Sequence, residues 1–213
     1  MAIVDLSHTL ESGMPIYPGD PVVEIAPSPQ EEPWRVLSLE LGSHSGTHID
    51  AAAHYLPGGR TIDRYPLERF VLPGVVAALE AGDDEEIAPA ALAEALAAAP
   101  AGGALLLRTG WDRHWGDSAM LRHPFLGAAA SEAIVAAGIT LVGTDALNVD
   151  SSVRGTTRAH EILLGRDVLI VENLTNLDRL PAARALRCAF VPLKLAGGDG
   201  SPVRAYAWAG DEP

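Results

Sequence analysis

Residues 44 to 54 read His44-Ser45-Gly46-Thr47-His48-Ile49-Asp50-Ala51-Ala52-Ala53-His54, and three of the chain's seven histidines fall within them. His44, His48, Asp50 and His54 share parity, so a straight strand would place all four on one face. It would also spread them over about 33 Å at ~3.3 Å per residue. Ligands that each lie about 2 Å from a metal, or that share two metals ~4 Å apart, cannot be so far from one another. The backbone therefore has to turn, and Gly46 is the residue that tolerates the turn. Beyond it, Asp50 to His54 is helix-favouring, and the i, i+4 spacing predicts that the two side chains share a helix face. Imidazoles with a carboxylate suit a divalent cation of the zinc, nickel, iron or manganese type.

Upstream of this stretch, Leu37, Leu39 and Leu41 alternate with Ser38, Glu40 and Gly42, which predicts a half-buried strand with His44 continuing its polar side. Residues 2–6 and 22–25 read as strands separated by the turn residues Gly13, Pro15, Pro18, Gly19 and Pro21. Downstream, residues 71–79 read as a buried strand in which Pro73 marks an edge or a bulge. Helix and strand then alternate. A helix over 88–99 has Pro89 in its first turn, a strand follows at 104–108, and a helix through 131–137 ends at Gly138. A strand at 139–142, a helix at 158–164 ended by Gly165 and a strand at 168–171 complete the series. That order predicts an α/β fold with a partly parallel sheet and helices against it. The tail reads as strands at 190–195 and 203–208 joined by the Gly197-Gly198-Asp199-Gly200 turn.

With 213 residues, 48% of them hydrophobic, the chain can bury a full core and is read as one domain over 1–213. Its net charge of −13, with Lys194 the only lysine, leaves too little clustered positive charge for a nucleic acid or an anionic membrane as partner. Cys188 is the only cysteine, so no disulfide forms within the chain; it reads as a small core residue, and a cytoplasmic location is expected. No run approaches the ~20 apolar residues of a membrane span, and the first residues lack the basic and apolar regions of a leader.

Two other chemistries are excluded by what stands at their key positions. Gly42-Ser43-His44-Ser45-Gly46 has the outline of a nucleophile elbow with histidine where serine is required. No Gly-Lys-Ser/Thr follows the Gly197–Gly200 turn, so it is no phosphate loop. His8, His114 and His123 are assigned to surface or packing roles, and Trp111 and Trp115 either wall a pocket or pack the core.

Residues 44–54 match the signature H-x-G-T-H-x-D-x-x-x-H, and the chain resembles the cyclase-like metal-dependent hydrolases, which include bacterial kynurenine formamidase and isatin hydrolase. Further segments are similar to the family's in the same order: Tyr17-Pro18-Gly19-Asp20, Thr109-Gly110-Trp111, Gly143-Thr144-Asp145, Ala159-His160, Glu172-Asn173-Leu174 and the stretch from Gly198 to Arg204. The resemblance implies a swivelling β/β/α domain, a mixed sheet with flanking helices, assembled as a homodimer or larger homo-oligomer. It implies that His44, His48 and Asp50 hold one metal, that Asp50 and Glu172 bridge to a second completed by His160, and that His54 is the catalytic acid or base. Glu172 follows the apolar strand 168–171, a common site position in open α/β sheets. His160, by contrast, reads from its helix alone as an ordinary surface histidine.

Zn2+, one or two ions per chain, is the first expectation, with Mn2+ the alternative. The implied reaction is metal-assisted hydrolysis of an amide C–N bond in a small molecule. An aryl formamide such as N-formylkynurenine is the first substrate, a cyclic amide of the isatin type the second, and a lactone or ester the third. A metal-binding relative without turnover is the reading from another class. Tyr17 stands where kynurenine formamidases typically carry the Trp that packs on the substrate ring, and Ala52 where the family usually has Pro; both bear on the substrate and neither on a metal ligand.

Overall fold

Residues 104–107 are apolar at every position, as a strand buried on both faces must be. The computed structural model, which describes residues 3–30 and 33–209, places them in the middle of a nine-stranded mixed sheet. In chain order the elements are β1 (Val4–Asp5), β2 (Glu24–Ser28), β3 (Val36–Glu40), β4 (His48–Asp50), β5 (Val71–Ala78), β6 (Glu86–Ile87), α1 (Ala93–Ala98), β7 (Ala104–Arg108) and β8 (Phe125–Leu126). They continue as α2 (Ala128–Ala136), β9 (Leu141–Thr144), α3 (Arg158–Leu164), β10 (Leu169–Glu172), β11 (Leu186–Ala189), β12 (Gly200–Pro202) and β13 (Tyr206–Ala209). Across the sheet the order is β1-β13-β11-β5-β7-β9-β10-β4-β12. The inner strands β5, β7, β9 and β10 are parallel, and the others join antiparallel.

Alternation divides the apolar residues between two cores. Ala104 and Leu106 face one way, with Leu72, Val76, Val171 and Phe190. Leu105 and Leu107 face the other, where Ala95 of α1, Ile134 of α2 and Leu163 of α3 cover the sheet. Cys188 lies buried in the first core, as expected. The helix expected over 88–99 divides into a 3-10 turn, Pro89–Leu92, followed by α1. Gly138 takes φ +75 just after α2, the left-handed geometry in which a helix commonly ends. Among the described residues no helix is long and apolar enough to cross a membrane.

Two expectations need correction. The leucines of the Leu37–Leu39 alternation form a strand, but among the described residues β3 pairs only with β2, and Leu37 and Leu39 are each 60% exposed. Alternation sets which side chains share a face; it does not supply a layer to cover that face. Pro73, by contrast, sits at an edge as expected: β5 pairs there with Arg187 of β11, while its other side is unpaired from Val71 to Pro73 because the ladder to β7 starts only at Gly74. The tail segments do pair antiparallel, through β11 with β13 and a single bridge Pro192–Val203, but the first strand lies at 186–189 and not at 190–195, and Gly200 opens an extra strand, β12, that leaves the connection to pair with β4.

Two segments, Thr109-Gly110 and Asp145, brace the sheet. Buried Asp145 accepts the N–H groups of Thr109 at 2.9 Å and Gly110 at 2.7 Å and the Thr109 hydroxyl at 2.5 Å, tying the ends of β7 and β9 together. Burial still dominates and lifts its pKa to about 6.

Leu106→Ala is expected to lower the unfolding free energy by about 3 kcal/mol through the cavity it leaves. Gly143→Ala should cost ~1–3 kcal/mol, since its Cβ would lie 2.7 Å from Leu174 and 2.8 Å from Leu106. Urea denaturation of metal-free protein checks both.

Candidate metal centre

β4 runs between β10 and β12, with His48 opposite Glu172 and Asp50 opposite Ile170 and Gly200. Opposite residues of an antiparallel pair share a face, and alternate residues of a strand do likewise. His48, Asp50 and Glu172 therefore point to the same side, while Ile49 and Val171 point into the first core. α3 packs over β10 and contributes His160, which is only 6% exposed. His44 comes from the turn before β4. Gly46 makes that turn at φ +64, and a Cβ there would meet Leu10 at 2.7 Å. Gly200 leaves room for the His44 ring, whose Cε1 would be 2.8 Å from a Cβ at that position.

The helix expected to align Asp50 with His54 is absent. Asp50 ends β4, and Ala51 remains extended, donating its N–H to the Asp199 carbonyl at 2.8 Å. Only Ala52–His54 turns, as a 3-10 segment. The sheet register outweighs the helix preference of the alanines because each ladder bond satisfies a backbone group that would otherwise be buried unpaired. His54 nevertheless returns to the site, its ring centroid 4.0 Å from that of His44 and 5.7 Å from that of His160.

All six residues proposed from the sequence as ligands or proton carrier thus converge. Asp50 Oδ1 lies 2.8 Å from His44 Nδ1 and 3.3 Å from His48 Nε2. His160 Nε2 lies 3.7 Å from both Asp50 Oδ2 and Glu172 Oε1, and His48 Nε2 lies 3.6 Å from Glu172 Oε2. A cavity of about 280 Å³ opens above them, lined by His44, His48, His54, His160 and Glu172 together with Tyr17 and Tyr55. Trp111 and Trp115 do not line it: Trp111 is buried with Nε1 donating to the Ala119 carbonyl, and Trp115 stacks on His8.

Electrostatically, the cluster is organised by Asp50, which has no exposed surface. Burial opposes its charge, but His48, His160 and His44 outweigh burial and hold its pKa well below the ordinary value. Glu172 goes the opposite way, to about 7, pushed up by burial and by the Asp50 charge. Burial also disfavours charge on the histidines. At His44 the Asp50 and Asp199 carboxylates prevail and raise the pKa to about 9; at His160, Asp150, Asp50 and Glu172 raise it to about 10. His54 is lowered, chiefly by burial, and is neutral at pH 7.

The residues fit a divalent cation. Asp50 Oδ2 is buried without any hydrogen-bond partner among the described residues, an arrangement costly for an ionised oxygen. Donor atoms of His44, His48 and Asp50 lie within 4.8 Å of one another, as do those of Asp50, His54 and His160. A third such group, His44, His54 and Asp199, includes a residue that the sequence reading left in a turn. Asp199 Oδ2 is 3.2 Å from His44 Nε2 and 3.7 Å from His54 Nδ1. Its only signal in the sequence was a carboxylate within a glycine-rich segment already similar to the family's.

Comparison with known proteins shows what the chain as a whole is similar to. Residues 4–151 match the Cyclase family, described as "Putative cyclase". Kynurenine formamidase of Salinibacter ruber is 31% identical over the whole of both chains. The structure of isatin hydrolase A from Labrenzia aggregata bound to benzyl benzoate superposes with a TM-score of 0.86 at 27% identity, covering 99% of this chain and 94% of that one. A potential metal-dependent hydrolase with cyclase activity superposes with a TM-score of 0.83 at 25% identity, covering 99% of both chains. With motif, fold and cluster in agreement with these likenesses, the chain belongs to the cyclase family and is a hydrolase within it.

Proposed function

We propose that this hydrolase cleaves the C–N bond of a small non-peptide amide, with an aryl formamide such as N-formylkynurenine as its first substrate. The observation that carries this reading is the convergence of three histidines and two carboxylates on a cavity that His54 also faces. His44, His48 and Asp50 would hold one divalent ion, and Asp50, Glu172 and His160 a second, with Zn2+ favoured over Mn2+ by the three imidazoles. The metal supplies Lewis acidity, polarising a carbonyl and lowering the pKa of water from 15.7 to about 7.

The protein's own part in the reaction is proton transfer and orientation. His54, neutral at pH 7, accepts a proton as water adds to the carbonyl carbon, then returns it to the amine nitrogen as the C–N bond breaks. Its Nδ1 faces Asp199, which leaves Nε2 for the transfer. Tyr17, Tyr55, Ile16 and Leu147 border the cavity and provide a planar, largely apolar surface for an aryl ring. The similarity to kynurenine formamidase supports the open-chain amide, and the similarity to isatin hydrolase supports a cyclic amide as second reading.

The active form is proposed to be a homodimer or larger homo-oligomer. The β2–β3 hairpin supports this, because Val36, Leu37 and Leu39 on the two-stranded sheet and Trp34 in the connection before β3 are exposed, with no covering layer among the described residues.

A panel of N-formylkynurenine, a simple aryl formamide, isatin and an aryl lactone, assayed with Zn2+- and Mn2+-loaded protein, tests the substrate class; turnover of none of them would leave the metal-binding relative without activity. His54→Gln is expected to lower kcat by about 10²–10⁴ while metal content stays unchanged; wild-type turnover would remove His54 from the mechanism.

Metal affinity is expected to climb between about pH 6 and pH 9, because His44 and His160 carry protons in the metal-free protein that an ion must displace. Titration calorimetry in buffers of different ionisation heat should register that proton release. The same raised values stabilise the metal-free fold fully below the ordinary histidine pKa of 6.5, and this contribution is lost as pH rises through about 9 and 10. Finally, Leu37→Glu combined with Leu39→Glu should shift the sedimenting species towards monomer, and an unchanged assembly would exclude the hairpin as the contact.

A further inference from the structure

An imidazole can present a lone pair to a metal only if the proton sits on its other nitrogen, so the partner of that second nitrogen decides whether a histidine is ready to bind. At His48 the second nitrogen, Nδ1, is 2.8 Å from the Gly46 carbonyl, an acceptor only. At His44 the nitrogen turned away from Asp50 is Nε2, 3.2 Å from Asp199. At His160, Nδ1 lies 2.8 Å from Asp150 Oδ2, and Nε2 faces Asp50 and Glu172.

Asp150 has the least freedom of these three partners. It is 2% exposed and lies in the segment between β9 and α3. Its Oδ1 accepts the N–H of Ala159 at 3.1 Å, and its Oδ2 accepts both the N–H of His160 at 3.0 Å and the ring Nδ1–H. One carboxylate therefore holds the first turn of α3 and the ring that the turn carries. The Gly46 carbonyl meets the His48 ring and the Asn173 side-chain amide and holds nothing of α3, and Asp199 is part-exposed and shared with His54.

We propose that Asp150 is a positioning residue for the metal site formed by His160, Asp50 and Glu172: it keeps the His160 proton on Nδ1 and the ring aimed so that Nε2 faces the cation. This rests on the reading of that site given above. The residue touches neither the cavity nor the reacting atoms and acts only through His160.

The test compares the wild-type protein with Asp150→Ala and Asp150→Asn by calorimetric titration of metal-free protein with Zn2+. Two ions are expected for the wild type. In Asp150→Ala one of the two ions, the one held by His160, should lose about 10–100-fold in affinity, the usual range for an outer partner of a metal ligand, with the other ion little changed. Asp150→Asn keeps an oxygen acceptor without the charge, so it should fold where the alanine variant does not and show a smaller loss at the same ion. In the Zn2+-loaded wild type, the His160 Nδ1 proton should appear as a protected downfield resonance, broadened or lost in both variants. Equal weakening of both ions together with a lowered thermal midpoint would reduce Asp150 to a structural brace, and unchanged affinities with an unchanged proton resonance would overturn the proposal outright. A wild-type protein that binds a single ion would instead overturn the two-metal reading on which it rests.

Discussion

The structure depends on a carboxylate that no solvent reaches. Asp50 lies between two neighbouring strands and beneath a helix, with one oxygen in contact with His44 and His48 and the other without a hydrogen-bond partner among the described residues. Removing an ionised carboxylate from water costs several kcal/mol even after relaxation, and only opposite charge at close range offsets it. In the metal-free chain that charge comes from protonated histidines, which explains the upward displacement of His44 and His160 and the downward one of Asp50. A divalent cation would meet the same requirement with more charge and would release those protons. Assembly of the metal centre and relief of the buried carboxylate are therefore one event.

The sheet delivers the groups with little freedom. The antiparallel register of β4 with β10 brings Glu172 opposite His48, and a slip of β4 by one residue would turn His48 and Asp50 into the apolar core and away from Glu172. The glycines at 46 and 200 serve the same end, one by a left-handed turn and the other by leaving space for a ring. Asp150 extends this control to the helix side, so that the ligands reached by strand, turn and helix each have a second contact that fixes their orientation.

Much of this was legible from local pattern. The donors within residues 44–54, the need for a bend at Gly46, the carboxylate at the end of an apolar strand and helix 158–164 are short-range features, and the structure places them where they were expected. Errors arose where a local preference met a long-range partner. The helix anticipated from Asp50 to His54 gave way to strand pairing with β12, and the leucines of β3 follow a buried strand's period without a layer above them. Asp199 was missed for the same reason. It is 145 residues beyond His54 in the sequence, and only the β4–β12 pairing brings the two within 3.7 Å.

The amino-acid sequence by itself determined which donors exist, how they are spaced and which strands are buried on both faces, because side-chain parity and turn chemistry act over a few residues. The tertiary structure decided which atoms meet: which nitrogen of each histidine faces Asp50, which carboxylate holds the other nitrogen, and which tyrosines border the cavity. Those choices depend on register between strands distant in sequence and on a helix packed across them. They are settled only when the whole core closes and every buried polar group must find its partner at once.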